Sequence, residues 1–237
     1  MLRPAHPPAK PARRCTVDQG GASRGARRCR FCGWADAYET DKLSRILGTY
    51  QQRALEALGP AEDDVLLDVG CGTGAAVRTA AGRVATAVGA DACPRMIERA
   101  QQLAAALSRA HYVVATAGSL PFVDGSFTAV LCTSALRHVS DRNAAAWEMS
   151  RVLVPGGRIV VGDFVQELPC RPRRTARRRA WQAAKASLPG PELRIESHLV
   201  CATLLGPYLI TQATKVCGLP ANGVEELRTP QLMIEGR

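Results

Sequence analysis

The sequence predicts an α/β fold in which a mostly parallel sheet carries helices on both faces. Three observations predict it. Short apolar runs alternate with segments of helical periodicity from Val65 to Phe164, the pattern of strands joined by crossover helices. The first run ends in a glycine-rich turn, Asp68-Val69-Gly70-Cys71-Gly72-Thr73-Gly74, followed by helix formers, and such a strand, turn and helix form the ligand-binding unit of open parallel sheets. The 237 residues, 46% of them apolar, suffice for one well-buried core and are too few for two ordinary ones.

Taken in order, residues 1–33 are rich in Pro, Arg, Gly and Ala and have no hydrophobic period. They read as a disordered basic extension, with the folded domain over 34–237. From Thr40 to Leu58, apolar Leu43, Ile46, Leu47, Leu55 and Leu58 recur at helical spacing, and Gly59-Pro60 ends the helix. Val65 to Leu67 is a first strand and Ala75 to Gly82 a helix. Val84 to Asp91 is a second strand, and Pro94 to Leu107 a helix with proline in its first turn. Tyr112 to Thr116 and Phe127 to Thr133 are strands, Asp141 to Leu153 a helix, and Arg158 to Phe164 a strand after Pro155-Gly156-Gly157. Residues 165–197 break the alternation with prolines and arginines and read as an insertion, partly helical around Ala176 to Leu188. A last helix is expected over roughly Leu199 to Cys217, then two strands, Val224 to Arg228 and Gln231 to Glu235.

The net charge of +10 is concentrated rather than spread. Residues 1–30 hold eight Lys or Arg against one Asp, residues 171–179 hold six Arg and no acid, and the remainder sums to −3. Such blocks suit phosphate, anionic lipid or an acidic partner, and equally a solvated tail and loop. The nine cysteines, at 15, 29, 32, 71, 93, 132, 170, 201 and 217, make no disulfide framework, and no apolar signal core precedes them, so a cytoplasmic location is expected. No run approaches the roughly 20 apolar residues of a membrane-spanning helix. Cys29 and Cys32, even with Cys15 and His6, fall short of a convincing four-ligand zinc site, and no metal is expected.

The spacing of the glycine turn separates ligand classes. A dinucleotide fingerprint places its third glycine one residue later, and a phosphate loop needs Gly-Lys followed by Ser or Thr. Here Asp-x-Gly-x-Gly-x-Gly is followed by Asp91 at the end of the second strand. Further on stand Ser119-Leu120-Pro121-Phe122-Val123-Asp124-Gly125-Ser126-Phe127 and Arg151-Val152-Leu153-Val154-Pro155-Gly156-Gly157. In this order the three segments resemble the class I S-adenosylmethionine-dependent methyltransferases, in their UbiE-like small-molecule branch, over about residues 34–165 and more weakly over the last forty or so.

The resemblance implies a Rossmann-like, doubly wound, mostly parallel seven-stranded sheet with an antiparallel closing strand, and S-adenosylmethionine as cofactor. Carried over residue by residue, the cofactor-binding set is Asp68, Gly70, Cys71, Gly72, Thr73, Gly74, Asp91, Ala92, Met96, Thr116, Ala117 and Thr133. Tyr38 resembles an amino-terminal tyrosine that folds over the cofactor. Asp91 would accept from the two ribose hydroxyls, and Asp68 would favour the cationic methionine end. Thr116 stands where relatives carry an Asp for the adenine amino group, which predicts weaker cofactor binding. Thr128 replaces another Asp with no evident consequence. His138, after the fourth strand, is the candidate general base, because imidazole titrates near neutral pH.

The implied activity is methyl transfer to an O, N or C atom of a small organic molecule. Two other readings stay open: an RNA methyltransferase that uses the basic tail and Arg171 to Arg179 as phosphate contacts, and a non-catalytic binding or assembly protein on the cofactor fold. Arg171 to Arg179 could instead sit on an anionic membrane surface.

Overall fold

A computed structural model describes residues 31–165, 192–201, 207–216 and 232–235. Its elements are α1 (Lys42–Leu58), β1 (Val65–Val69), α2 (Ala75–Ala81), β2 (Thr86–Asp91), α3 (Pro94–Leu103), β3 (Ala110–Val114), β4 (Phe127–Thr133), a 3-10 turn (Leu136–His138), α4 (Arg142–Val152), β5 (Leu153–Phe164), β6 (Leu193–Cys201), β7 (Tyr208–Lys215) and β8 (Leu232–Glu235). The eight strands form one sheet in the order β3-β2-β1-β4-β5-β7-β6-β8. β1 to β5 run parallel, and β7 inserts antiparallel between β5 and β6. The chain winds from β1 outward to β3, then returns to β4 on the other side of β1. That reversal opens a crevice beyond the carboxyl ends of β1 and β4, where sheets of this kind bind ligands.

Strand alternation divides the core. Leu66, Ala129, Leu131 and Val160 face α1 and α2, together with Leu55, Leu58, Val77 and Ala80. Leu67, Val130, Ile159 and Val161 face the other way, onto Ala145, Met149 and Val152 of α4. Helices therefore cover both faces, as near-continuous apolar parallel strands require. The helix ends follow local rules. Asp41 Oδ2 accepts from the backbone N–H groups of Leu43 and Ser44 at the start of α1, Asp141 caps α4 through the N–H of Ala144, and Gly59 ends α1 in the left-handed region at φ 60°.

Two of the sequence motifs turn out to hold each other. Arg151 donates to the carbonyls of Leu120 and Phe122 and to Asp124, while Glu148 accepts the N–H of Leu120 at 2.6 Å. The Leu-Pro-Phe segment is thus clasped onto α4. Thr128 also gains a role, since its hydroxyl donates to Asp64 at 2.7 Å and accepts the N–H of Val65.

The structure departs from expectation at three places. The helix expected over Leu199 to Cys217 is instead the end of β6 and the whole of β7. Gly206-Pro207 interrupts that stretch, and Tyr208, Ile210, Thr211 and Thr214 favour extended backbone. β6 begins at Leu193, inside the range read as insertion. Phe31 and Cys32, counted with the basic extension, pack against the domain. The antiparallel strand of the sheet is β7, and β8 pairs parallel with β6 at the sheet edge. Val224 to Arg228, Arg171 to Arg179 and Ala176 to Leu188 lie outside the described residues.

Candidate active site

The turn after β1 is built from left-handed backbone: Gly70, Gly72 and Gly74 have φ of 76°, 55° and 80°. Side-chain-free residues are required here, but for different reasons. A Cβ on Gly70 would strike Ala135, and one on Gly74 would sit 2.5 Å from the Tyr112 ring. At Gly72 the nearest atom would be Tyr38 Cε1, 3.9 Å away. Of the three, only Gly72 has room beside it for a Cβ, whereas Gly70 and Gly74 let the turn pack closely against Ala135 and Tyr112. Cys71 is buried behind the turn, and its thiol is pushed well up by burial and then by the charges of Asp68 and Asp91.

Asp91 ends β2 with its carboxylate drawn into this turn. Oδ2 accepts the N–H of Gly72 at 2.9 Å and Oδ1 the N–H of Cys93 at 2.8 Å. Each oxygen keeps a further lone pair for a ligand hydroxyl. Burial raises its pKa, against the lowering effect of those two N–H bonds. Asp68, at the end of β1, is fully buried, and among the described residues neither of its oxygens has a hydrogen-bond partner. Burial first, and the Asp91 charge second, push its carboxyl up to about 7. A buried carboxylate without a donor is costly. A cation or donor brought by a ligand would relieve it, so this donor set fits a cationic nucleoside cofactor.

A cover crosses the turn from the amino-terminal side. Tyr38 lies against Gly72, stacks edge-on to Trp34 at 5.0 Å between centroids, and has its hydroxyl pKa raised by burial. Glu39 accepts from the Thr73 hydroxyl at 2.8 Å and pairs with Arg78 of α2. Thr73 is therefore engaged with the cover. Met96 is buried under it with Ala35 and Cys93, and Ala92 is half-buried at the mouth of α3. Thr116 is exposed just past β3, closing a turn with Ser119, and Ala117 packs against the α4-side core.

Beyond β4, Thr133 is buried and accepts from Gln51 of α1 at 3.3 Å. His138 is exposed on the 3-10 turn, with Arg137 Nε donating to its Nε2 at 3.0 Å and the Phe31 ring edge-on at 5.2 Å. Arg137 also pairs with Asp163 at the end of β5. Ser134, at φ 55°, meets the Tyr208 hydroxyl at 3.2 Å, and Tyr50 stacks on Tyr208 beside Phe164. Sequence reasoning missed Glu39, Arg78, Asp163 and this aromatic group, because each reaches the crevice by a long-range contact that no local motif marks. The position of Tyr208, at the start of the strand that follows Pro207, was the one usable signal.

Comparison with known proteins agrees with this geometry. Residues 67–161 match the family model described as a methyltransferase domain. A demethylmenaquinone methyltransferase of Tropheryma whipplei (strain Twist) is 39% identical over 135 residues, 55% of this chain and 55% of that one. An O-methyltransferase, cnsE, of Penicillium expansum is 33% identical over 134 residues, 55% of this chain and 46% of its own length. The matched region thus spans about half the length of these relatives. Among solved structures, the N-methyltransferase NodS of Bradyrhizobium japonicum, in complex with S-adenosyl-L-homocysteine, superposes with a TM-score of 0.59 at 18% identity, over 79% of this chain and 99% of that one. At that identity the likeness speaks for the fold. With the glycine turn, the two strand-end carboxylates and the matched segment in one place, residues 67–161 carry a methyltransferase domain, and the chain is similar to class I S-adenosylmethionine-dependent methyltransferases of the UbiE-like branch.

Proposed function

We propose that this chain transfers a methyl group from S-adenosylmethionine to an O, N or C atom of a small organic molecule. The observation that carries the reading is Asp68: a wholly buried carboxylate, lacking a donor among the described residues, directly behind a turn whose N–H is already tied to Asp91. Asp91 would hold the ribose hydroxyls, and Asp68 would balance the positive end of the cofactor. Tyr38 and the Glu39 clasp would keep water from the crevice. Thr116 and Ala117, just past β3, would meet the purine ring. When bound, S-adenosylmethionine supplies an electrophilic methyl carbon that needs no metal for activation.

The protein's remaining work is to position the acceptor and manage its proton. His138 is proposed as the base for a hydroxyl or acidic carbon, taking the proton at Nε2. An acceptor must first displace the Arg137 hydrogen bond there. The small-molecule acceptor is supported by the names of the matched relatives, which include a demethylmenaquinone methyltransferase and an O-methyltransferase. A cytoplasmic location and a domain running from the cover to the last strand belong to the same proposal. No helix among the described residues is long and apolar enough to cross a membrane.

Calorimetric titration with S-adenosylmethionine tests the reading. Asp91→Ala is expected to weaken binding by roughly 30-fold, the loss of about 2 kcal/mol of charged hydrogen bonding. Transfer of an isotope-labelled methyl group should then appear in the small-molecule fraction of a cell extract. Binding unaltered in Asp91→Ala, or label confined to the RNA fraction, defeats it.

A further inference from the structure

The amino-terminal cover meets the cofactor crevice through a pair of sulfurs. Cys32 Sγ lies 3.3 Å from Cys93 Sγ, although 61 residues separate them. Cys32 is half-buried, while Cys93 is 2% exposed and caps the start of α3. Cys93 is also the residue whose N–H holds Asp91 Oδ1. Ala35, Met96, Phe31 and Tyr38 pack around the pair and keep cover and crevice floor together. Bringing the sulfurs to the bonded distance of about 2.05 Å needs a shift of only about 1 Å. Among the described residues, the other cysteines, Cys71, Cys132 and Cys201, are buried in the two core layers, and burial pushes up the thiols of Cys71 and Cys132, which makes them poor competitors for oxidation.

We propose that Cys32 and Cys93 form a reversible disulfide that fastens the cover over the cofactor crevice. The oxidant is a low-molecular-weight disulfide such as oxidised glutathione. The thiolate of Cys32, the more accessible of the two, attacks one of its sulfurs; the small disulfide bond breaks and one glutathione thiolate departs. The Cys93 thiolate then attacks Cys32 Sγ in the mixed disulfide, the Cys32–Cys93 bond forms, and the second glutathione thiolate leaves. Two cysteines are oxidised, one small disulfide is reduced to two thiols, and the protons lost by the cysteines go to the departing thiolates. In a reducing compartment the bond opens again. Resting on the proposed function, the consequence is kinetic: with the cover fastened beside Asp91, S-adenosyl ligands enter and leave slowly.

The test uses the full chain. After oxidised glutathione, alkylation and proteolysis, mass spectrometry should find one peptide pair linking Cys32 to Cys93, abolished by dithiothreitol and absent in Cys32→Ser. The oxidised protein should melt several degrees higher than the reduced one, since the bond closes a long loop. Stopped-flow displacement of S-adenosylhomocysteine should be at least tenfold slower in oxidised wild type, with no response to oxidant in Cys32→Ser or in Cys93→Ala as a second variant. Absence of the linked peptide, linkage to a different cysteine, an unchanged displacement rate, or a tightly retained zinc ion that shields both thiols from alkylation would overturn the proposal. The two readings fail separately. Reduced wild type that binds no S-adenosyl ligand sinks the functional reading and the kinetic effect with it, whereas a missing crosslink in protein that binds normally sinks only the disulfide.

Discussion

Asp68 and Asp91 are acids at the ends of neighbouring strands, and their surroundings give them opposite tasks. Asp91 is held by two backbone N–H groups and so has a fixed direction. Among the described residues Asp68 is held by packing alone, and burial followed by the Asp91 charge raises it to about 7. Its ordinary value in an unfolded chain is about 3.9. A carboxyl raised on folding contributes stability that is complete below that ordinary value and is lost as pH rises through about 7. Asp68→Asn should therefore melt at a higher temperature than wild type at pH 8 without ligand, and the difference should close towards pH 4. Cofactor affinity should move the other way in wild type, rising with pH through about 7 as the attracting charge forms, and should be weak and flat with pH in Asp68→Asn. Melting curves and titrations across that range check both slopes. An asparagine variant less stable than wild type at pH 8 would show that the carboxylate has a partner within the protein.

At the scale of the element, the glycine turn separates packing from recognition. The sequence pattern marked all three glycines as ligand-facing, because spacing reveals only that side chains are excluded, not what excludes them. Gly74→Ala places a methyl 2.5 Å from the Tyr112 ring on a residue at φ 80°, so it should cost about 2–3 kcal/mol in stability. Gly72→Ala meets only Tyr38 at 3.9 Å. It should cost about 1–2 kcal/mol from its left-handed backbone while lowering cofactor affinity more than tenfold. Denaturant unfolding and calorimetry distinguish the two, and equal losses of affinity at matched stability would put both glycines on the ligand. The same limit of pattern reading explains β7. Leu199 to Cys217 carries apolar residues dense enough to satisfy a helical period, and only Gly206-Pro207 and the β-branched residues after it argue for two strands. Boundaries with a sharp local signal, such as the end of α1 at Gly59 and the start of α3 at Pro94, were legible almost to the residue.

Across the whole molecule, the legible part is what the chain encodes locally: the alternation from β1 to β5, the turn, and the acid one strand away. Glu39 with Arg78, Arg137 with Asp163 and Ser134 with Tyr208 join residues 26 to 74 positions apart and leave no local trace. Asp64 gathers further long-range ties, one of which spans still more of the chain. Its carboxylate accepts from the Ala61 N–H, the Thr128 hydroxyl and Arg158, whose guanidinium also donates to the carbonyls of Leu58 and Gly59 at the end of α1. Burial alone would raise this acid, but the Ala61 N–H, Thr128 and Arg158 outweigh it and hold it below the usual range. Its contribution to stability is therefore present above the ordinary carboxylate value and is lost as pH falls through the lowered one. Asp64→Ala should destabilise by about 3 kcal/mol at pH 7, a fall in Tm of roughly 6–12 °C, and the gap to wild type should narrow below about pH 4. The effect on the crevice should be small. Asp64 precedes β1 and the glycine turn follows it, so five residues of strand, about 3.3 Å each, separate the clasp from the cofactor. Affinity measured well below the melting temperature should stay within roughly threefold of wild type, a free-energy change under about 1 kcal/mol. A larger loss would mean that the packing of α1 onto the sheet sets the geometry of the turn, and that stability and binding in this fold are coupled along β1.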